Sequence, residues 1–291
     1  MIYELKKEQY EKVRPLFQAL DYHLTPQAVI DGICPGKIYV DDLEVPTSAF
    51  IFTVEGCFLI GNSDNDAFNT ALRNMLRHIS DNGDPAWEHE DAIRLDISSQ
   101  TWKSLASTLF SDRAALIEQR RKYLCTKLRV DWKELLPAGY SVRPIDQELL
   151  EQSGVKISER VENPRFHIYE WINVNWGTYE NFFQHAFGFC LVHEQHVVSW
   201  SVVDCISGAR CEIGIYTLPE YRQRGLATIM VATTVDYCFS QGFTSVGWHC
   251  LDTNVGSWKT AEKVGFVKER DYQFYLYMFD KVMHLAETGC R

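Results

Sequence analysis

Hydrophobic positions in the first half of the chain follow helical and strand periods in turn. Apolar residues at helical spacing predict a helix over 8–20, and a short apolar run predicts a strand over 37–40. Two β-branched and aromatic stretches flank Glu55-Gly56 and predict a hairpin. Further helical patterns lie over 66–79, 101–110 and 112–124. The basic run Arg120-Arg121-Lys122 is interpreted as the solvated end of the last helix.

The second half begins after a candidate linker, 133–139. There a helical pattern ends and is followed by Pro137 and Gly139. Beyond it, the patterns predict strands over 140–145, 187–193, 197–203, 211–217, 244–251 and 273–279. Helical patterns lie over 148–160, 168–185, 225–240 and 257–264. Both halves therefore run through helix, strand, hairpin and helix in similar order. This order allows a remote internal duplication, although no residue-level period supports one.

A length of 291 residues predicts two domains, at roughly 150 residues for each. We expect an N-terminal αβ domain over 1–136, with no assigned role and with a degenerate copy of the second domain as one option. The second domain is expected over 140–281, and the fold class is α/β. A composition with 46% hydrophobic and 23% charged residues excludes collagen-like and disordered chains.

The charge pattern narrows the expected partners. The net charge is −10, and neither half is basic, so a nucleic-acid-binding surface is not expected. The charged N-terminus has no apolar core of a signal peptide, and no apolar run approaches the roughly 18 residues of a membrane span. We therefore expect a cytoplasmic protein with no membrane partner.

Nine cysteines are scattered, most within apolar runs, without a Cys-x-x-Cys pair. We interpret them as reduced thiols buried as small hydrophobic residues. No metal is expected, because His193 and His196 flank a hairpin turn with no third ligand nearby. Asp64-Asn65-Asp66 lacks the glycine and glutamate of a calcium loop and is interpreted as a helix cap.

The segment most informative about chemistry joins a strand, 213–217, to a nearly apolar helix. Between them lie Pro219-Glu220-Tyr221 and Arg222-Gln223-Arg224-Gly225-Leu226-Ala227. The first amides of a helix are unpaired and carry partial positive charge. The small Gly225 and Ala227 let an anion approach these amides, and two arginines flank them, so the turn suits a pyrophosphate. The alternative is a plain strand–helix turn with two solvated arginines. The segment matches neither a P-loop nor a dinucleotide fingerprint.

Arg-x-x-Gly-x-Ala after Pro-Glu-Tyr, at the start of a helix, resembles the acyl-CoA-binding motif of the GNAT N-acetyltransferases. Asn254-Val255-Gly256-Ser257, followed by Ala261-Glu262-Lys263-Val264-Gly265-Phe266, is similar to a later motif of that family. The order of elements from Tyr140 onward also agrees, so the resemblance covers roughly 140–281. The whole chain looks like a little-characterised bacterial two-domain branch of the family.

The resemblance implies a GNAT-like mixed, mostly antiparallel sheet, flanked by helices, whose fourth and fifth strands splay apart. Acetyl-CoA, the implied cosubstrate, would enter the gap. Its pyrophosphate would lie on the amides of 222–228, its pantetheine along 215–217, and its thiol end near Asn254. Ser257 is expected to cap the short helix, and its hydroxyl could reach the thioester. The implied cofactor-binding residues are Ile215, Tyr216, Thr217, Arg222, Gln223, Arg224, Gly225, Leu226, Ala227, Thr228, Asn254 and Ser257.

Amine acetylation needs a base for the amine and an acid for the departing thiolate. Glu212 is the first candidate for the base, because a glutamate at a matching strand position has that role in histone-type members of the family. The alternative for Glu212 is a structural carboxylate. Ala261 stands where the family has its usual acid, a tyrosine. The substitutes considered for the acid are His249, Cys250 and Tyr216.

The aromatic stretch 171–185 suits either an acceptor pocket for a cation or amine, or simple core packing. The sequence therefore predicts an N-acetyltransferase that moves an acetyl group from acetyl-CoA to a primary amine of a small molecule or peptide by direct attack. The alternative is a CoA-binding GNAT-like protein without turnover that acts as a sensor or scaffold. The expected partner is a small-molecule amine, and the sequence allows a homodimer.

Overall fold

The computed structural model describes residues 1–82, 92–97, 100–109, 115–151, 156–157 and 167–278. The chain divides into two compact units. The first unit contains residues 1–32, 36–119 and 273–291, and the second contains residues 33–35 and 120–272. The boundaries of these units differ from those of the expected domains, 1–136 and 140–281.

The elements of the first half follow the predicted order as far as α3, apart from three elements that the sequence pattern did not indicate, β1, α1 and β5. Its strands are β1 (Tyr3–Glu4), β2 (Gly36–Val40), β3 (Ser48–Thr53), β4 (Gly56–Gly61), β5 (Ala92–Ile97) and β6 (Ala115–Cys125). Its helices are a 3₁₀ helix (Lys7–Leu20), α1 (Leu24–Ile30), α2 (Asp66–Asn82) and α3 (Gln100–Leu109). Strands β2, β3 and β4 form an antiparallel meander, and β5 pairs with β4 in parallel.

The second half begins after the short helix α4 (Trp132–Leu135). Its strands are β7 (Tyr140–Pro144), β8 (Lys156–Ile157), β9 (Gly188–His193), β10 (His196–Ser207), β11 (Arg210–Thr217), β12 (Ser245–Leu251) and β13 (Val267–Met278). Its helices are α5 (Gln147–Glu151), α6 (Ile168–Trp176), α7 (Tyr179–His185), α8 (Leu226–Ser240) and α9 (Val255–Val264). Strands β9, β10 and β11 form an antiparallel meander, and β12 pairs with β11 in parallel. A mixed, mostly antiparallel sheet flanked by helices confirms the predicted fold class.

Two predicted helices of the second half are shorter than expected. The helical stretch 168–185 is broken at Gly177, whose φ of 77° ends α6. The predicted helix 148–160 is wrong at 156–157, which form β8 and pair with β10, while 152–155 and 158–160 lie outside the described residues.

The prediction of a helix over 112–124 is wrong within the described residues, because 115–125 form strand β6. Residues 120–125 of this strand pair with β12 in an antiparallel ladder. Tyr123 and Cys125 are fully buried and, two residues apart in a strand, lie on the same face of the sheet. Lys122 is only 5% exposed, so the interpretation of this basic run as a solvated helix end is also wrong for Lys122.

The two halves share one topology and exchange their final strands. Each half has a three-stranded meander, a helix, a strand parallel to the meander's last strand, a second helix and a final strand. The final strand of the first half, β6, pairs with β12 of the second. The final strand of the second half, β13, pairs through residues 275–278 with β5 of the first. The structure therefore supports the internal duplication for which the sequence shows no residue-level period.

Each unit has a well-filled apolar core. In the first, α2 and α3 contribute Phe68, Leu72 and the fully buried Trp102 to a cluster against the strands. In the second, α8 is buried over most of its surface, as its apolar sequence predicts. The eight cysteines that the structure describes are all buried and unbridged, which confirms their interpretation as thiols, while Cys290 lies outside the described residues. No helix in the described ranges has the length and apolar character needed to cross a membrane.

One polar pair is buried in the first unit and gives a stability prediction. His23 Nε2 lies 2.7 Å from Asp96 Oδ2, with both side chains at most 3% exposed, and the Tyr22 hydroxyl donates to the same oxygen. Asp96→Ala leaves these buried donors without their acceptor, and we expect it to lower the free energy of unfolding by about 3 kcal/mol. Chemical denaturation measures the loss. Asp271→Ala is the control, because Asp271 has an equally short ion pair that is exposed and should contribute less than about 1 kcal/mol. Equal losses in the two variants would contradict the prediction.

Candidate functional site

Strands β11 and β12 separate partway along their length. They pair in parallel only through Arg210–Ser245, Cys211–Val246 and Glu212–Gly247. Beyond the last pair, 213–217 keep their partner β10, and 248–251 pair with β6. No ladder joins these two stretches of the described chain, so a gap opens between the two strands. The splayed fourth and fifth strands of the predicted fold are therefore present.

The connection from β11 to α8 exposes a row of backbone amides. Gln223 and Gly225 have positive φ values of 62° and 79°, a backbone geometry found in anion-binding loops. Among the described residues, no acceptor bonds the amides of 223–227. The amides of Arg222 and Thr228 are hydrogen-bonded, to the carbonyls of Pro219 and Gly225. The row of unpaired amides is thus shorter than the expected 222–228.

Both arginines of the loop are held by their own turn. Arg222 Nε donates to the Thr217 carbonyl at 3.0 Å, and its guanidinium lies 5.6 Å from the centre of the Tyr216 ring. Arg224 donates to the Glu220 carbonyl at 2.8 Å and lies over the ring of Tyr221. Both side chains belong to exposed residues, so their positive charge is available beside the unpaired amides.

The equivalent connection in the first half, between β4 and α2, has a different character. The Asn65 side chain caps α2 by accepting from the Phe68 amide at 3.1 Å, which confirms the predicted helix cap. Asn62 accepts from the amide of Asp64. The connection has no arginine and carries a carboxylate at Asp64, so it does not suit an anion. Of the two topologically matching connections, only the one after β11 has the features of a pyrophosphate site.

Glu212 lies at the point where β11 and β12 separate, and it is 3% exposed. Its Oε1 is 2.9 Å from His249 Nε2 and 3.3 Å from Lys122 Nζ, while the Cys205 thiol donates to Oε2 at 3.5 Å. A Cβ at Gly247 would approach the Glu212 Cγ to 2.7 Å, so the glycine makes room for this carboxylate. Glu212 is a paired, buried carboxylate and not one exposed at a sheet edge.

The other three candidate catalytic residues are not all brought together. His249 contacts Glu212 directly, and its Nδ1 lies 2.6 Å from the Tyr272 hydroxyl. Cys250 follows His249 along β12 and therefore faces the other side of the sheet. Burial raises the pKa of the Cys250 thiol, which makes it a weaker acid than an ordinary cysteine. Tyr216 lies four residues beyond Glu212 on the same face of β11, and its ring stacks on Trp200.

The later motif forms the start of α9. The Asn254 side chain caps this helix by accepting from the Ser257 amide at 3.1 Å. The expectation that Ser257 is the cap is therefore wrong, because its hydroxyl accepts from Trp248 Nε1 instead. Ala261 is fully buried and offers no proton donor in place of the usual tyrosine.

The aromatic stretch 171–185 serves two purposes. Trp176 and Phe182 are buried core residues. Trp171 is half-buried, donates to Asp204 Oδ1 at 2.6 Å, and packs edge-on against Trp200. Asp204 and Trp171 both lie over Gly214, where a Cβ would approach each to 2.6 Å. Aromatic rings and a carboxylate therefore lie on the same face of β11 as Glu212.

Comparison with known proteins agrees with this geometry. The family model described as GNAT acetyltransferase matches residues 14–275, which include most of both halves. The chain belongs to the GNAT acetyltransferase family. An uncharacterized N-acetyltransferase of Bacillus subtilis, YdfB, is 27% identical over 277 residues, which are 94% of this chain and 98% of that protein.

Solved structures share the fold. A GCN5-related N-acetyltransferase-like protein of Streptococcus suis has a TM-score of 0.66 at 23% identity, over 93% of this chain and 98% of that one. A tandem GNAT protein from the clavulanic acid biosynthesis pathway has a TM-score of 0.59 at 11% identity, over 96% and 98% of the two chains. A GCN5-related N-acetyltransferase of Sphaerobacter thermophilus has a TM-score of 0.57 at 12% identity, over 96% of each chain.

Two residues of the site were missed by sequence reasoning. Lys122 was assigned to a helix end, and Tyr272 precedes the predicted strand 273–279. Lys122 pairs with His249 in the β6–β12 ladder, which joins residues more than 120 positions apart. The local sequence, three basic residues followed by Tyr123, Leu124 and Cys125, does not alternate between polar and apolar residues and so gives no signal of a strand.

Proposed function

We propose that this protein transfers an acetyl group from acetyl-CoA to a primary amine by direct attack within a ternary complex. One observation carries the proposal: the gap between β11 and β12 leads directly to the unpaired amides of 223–227. An anion bound at that loop would lie at the end of β11. On the side that faces the gap, the backbone of 213–217 has no partner strand among the described residues. A pantetheine arm fits such a place as an added strand.

The cofactor-binding residues follow from this placement. Arg222 and Arg224 would supply charge, the amides from Gln223 through Ala227 would bind the pyrophosphate, and 215–217 would pair with the pantetheine. Asn254 and Ser257 would lie near the thiol end, with Asn254 also fixing the start of α9. Because the β4–α2 connection lacks these features, we expect one CoA for each chain.

The acceptor is proposed to be a small amine that enters on the face of β11 that carries Glu212. Asp204, Trp171 and Trp200 on that face suit an ammonium group or an amine about to lose a proton. Ala261 supports the competing proposal of a CoA-binding sensor without turnover, because an alanine at the position of the family's usual tyrosine cannot donate a proton.

Two measurements test the proposal together. Isothermal titration with CoA gives affinity and stoichiometry, and thiol release from acetyl-CoA across a panel of primary amines gives turnover. The buried thiols should leave a low background with a thiol-reactive dye, and Cys290→Ser removes the cysteine outside the described residues. Binding with thiol release supports the acetyltransferase. Binding without release from any amine supports the sensor, and absence of binding overturns both.

A further inference from the structure

Four side chains form a continuous chain of polar contacts on one face of the second unit. They come from four strands: Lys122 from β6, Glu212 from β11, His249 from β12 and Tyr272 from β13. The contacts are Lys122 Nζ to Glu212 Oε1 at 3.3 Å, Glu212 Oε1 to His249 Nε2 at 2.9 Å, and His249 Nδ1 to the Tyr272 hydroxyl at 2.6 Å. The side chains of Lys122, Glu212 and His249 are at most 6% exposed.

The geometry of the chain favours one arrangement of its protons. The ion pair is the favoured state of a carboxylate buried beside an ammonium group, because neutralising only one partner would leave the other charge buried alone. An ionised Glu212 can only accept, so His249 Nε2 must carry the proton that it shares with Oε1. In the neutral imidazole Nδ1 then has no proton, and the Tyr272 hydroxyl donates to it. This is the arrangement of a carboxylate–histidine–hydroxyl triad.

We propose that Glu212, His249 and Tyr272 form a proton relay that is the base of the acetyl transfer, an inference that rests on the proposed function. The Tyr272 oxygen, and not the Glu212 carboxylate, would contact the acceptor amine. Glu212 is unsuited to that contact, because Lys122 and His249 share its Oε1 and the Cys205 thiol lies on Oε2.

Atoms and charge balance in the transfer step. The acceptor nitrogen forms a bond to the acetyl carbonyl carbon, and the carbon–sulfur bond breaks with its electron pair leaving on the CoA sulfur. The amine proton passes to the Tyr272 oxygen as the Tyr272 proton passes to His249 Nδ1. The resulting imidazolium is stabilised by Glu212, and its extra proton is later returned, through Tyr272, to the thiolate or to solvent.

Lys122 is a positioning residue in this scheme, because it acts on the relay only through Glu212. It is carried by β6, the final strand of the first half. The relay therefore depends on both halves of the chain, although its three members belong to the second half.

The kinetic test compares two tyrosines of the same strand. Tyr272→Phe removes the hydroxyl that contacts His249, and we expect kcat to fall about 100-fold or more. The KM for acetyl-CoA and the Kd for CoA should stay at the parent values. Tyr277→Phe is the matched control, since Tyr277 is also buried on β13 but lies in the first unit, and its kcat should be unchanged. A parental kcat in Tyr272→Phe overturns the relay.

A spectroscopic test needs no acceptor. In protein labelled with ¹⁵N-histidine, the His249 resonances, identified by their loss in His249→Gln, should show the Nε2–H tautomer. Glu212→Gln and Lys122→Met should shift that tautomer balance, while Tyr277→Phe leaves it unchanged. An Nδ1–H tautomer in the parent protein overturns the relay. If the parent protein binds CoA but acetylates no amine, the proposed function fails, whereas this spectrum still decides the proton positions.

Discussion

Gly225→Leu should reduce CoA affinity by about 100-fold or more, which is about 3 kcal/mol, while the protein stays folded. Gly225 precedes α8 with a φ of 79°, and no atom lies within 4 Å of the position that a Cβ would take. A side chain there has room to exist, but it occupies the space beside the unpaired amides of 223–227. It also strains the left-handed backbone of Gly225, a conformation that glycine adopts without a steric penalty.

Gly242→Leu is the matched control for this variant. Gly242 follows the other end of α8, has a φ of 89°, and likewise has no atom within 4 Å of the place where a Cβ would lie. Both substitutions should therefore cost a similar strain, about 1–2 kcal/mol each, which thermal melting measures. Only Gly225→Leu should change the affinity measured by isothermal titration. Equal CoA affinities in the two variants would refute the role of this loop in binding the pyrophosphate.

A fragment of residues 140–278 should fail to fold, although it includes every element of the predicted second domain up to the end of β13. It lacks β6, so β12 loses its antiparallel partner and presents an open edge. It also lacks Lys122, which leaves the Glu212 carboxylate without its buried cation. Losing one member of a buried ion pair costs about 3–5 kcal/mol, a large part of the stability of an ordinary domain.

The control is a fragment of residues 115–278, which restores β6 and Lys122. It should show a cooperative thermal transition and resist proteolysis, while the shorter fragment shows neither. Adding a separately expressed fragment of residues 1–136 to the shorter one should recover folding, because that fragment carries β6. A cooperative transition in residues 140–278 alone would contradict the structural role of the exchanged strand.

The second half of the fold was largely predictable, because its signals are local. Strands 211–217 and 244–251 and helix 225–240 were placed within about two residues of their observed ends. The start of α8 could be recognised since Gly225 and its arginines form one continuous stretch. The separation of β11 from β12 followed from the resemblance that this stretch carries, and not from hydrophobic periodicity.

The failures concern contacts between distant parts of the chain. Residues Glu118 through Lys122 are good helix formers, and nothing in their immediate sequence shows that β12 pairs with them. Tertiary pairing overrides that local preference, as it often does in strands. For the same reason the sequence identified Glu212 and His249 as separate candidates and could not reveal that Lys122 and Tyr272 complete one cluster with them.

The unpaired amides of 223–227 have a kinetic consequence. Since no residue that the structure describes accepts from them, an incoming anion can bind these amides without first breaking a hydrogen bond of the protein. The ordering cost of binding falls mainly on the flexible arm of the incoming molecule and not on the protein. The observed rate of association in a stopped-flow experiment should therefore rise linearly with CoA concentration, without the plateau that a slow opening or closing step would impose.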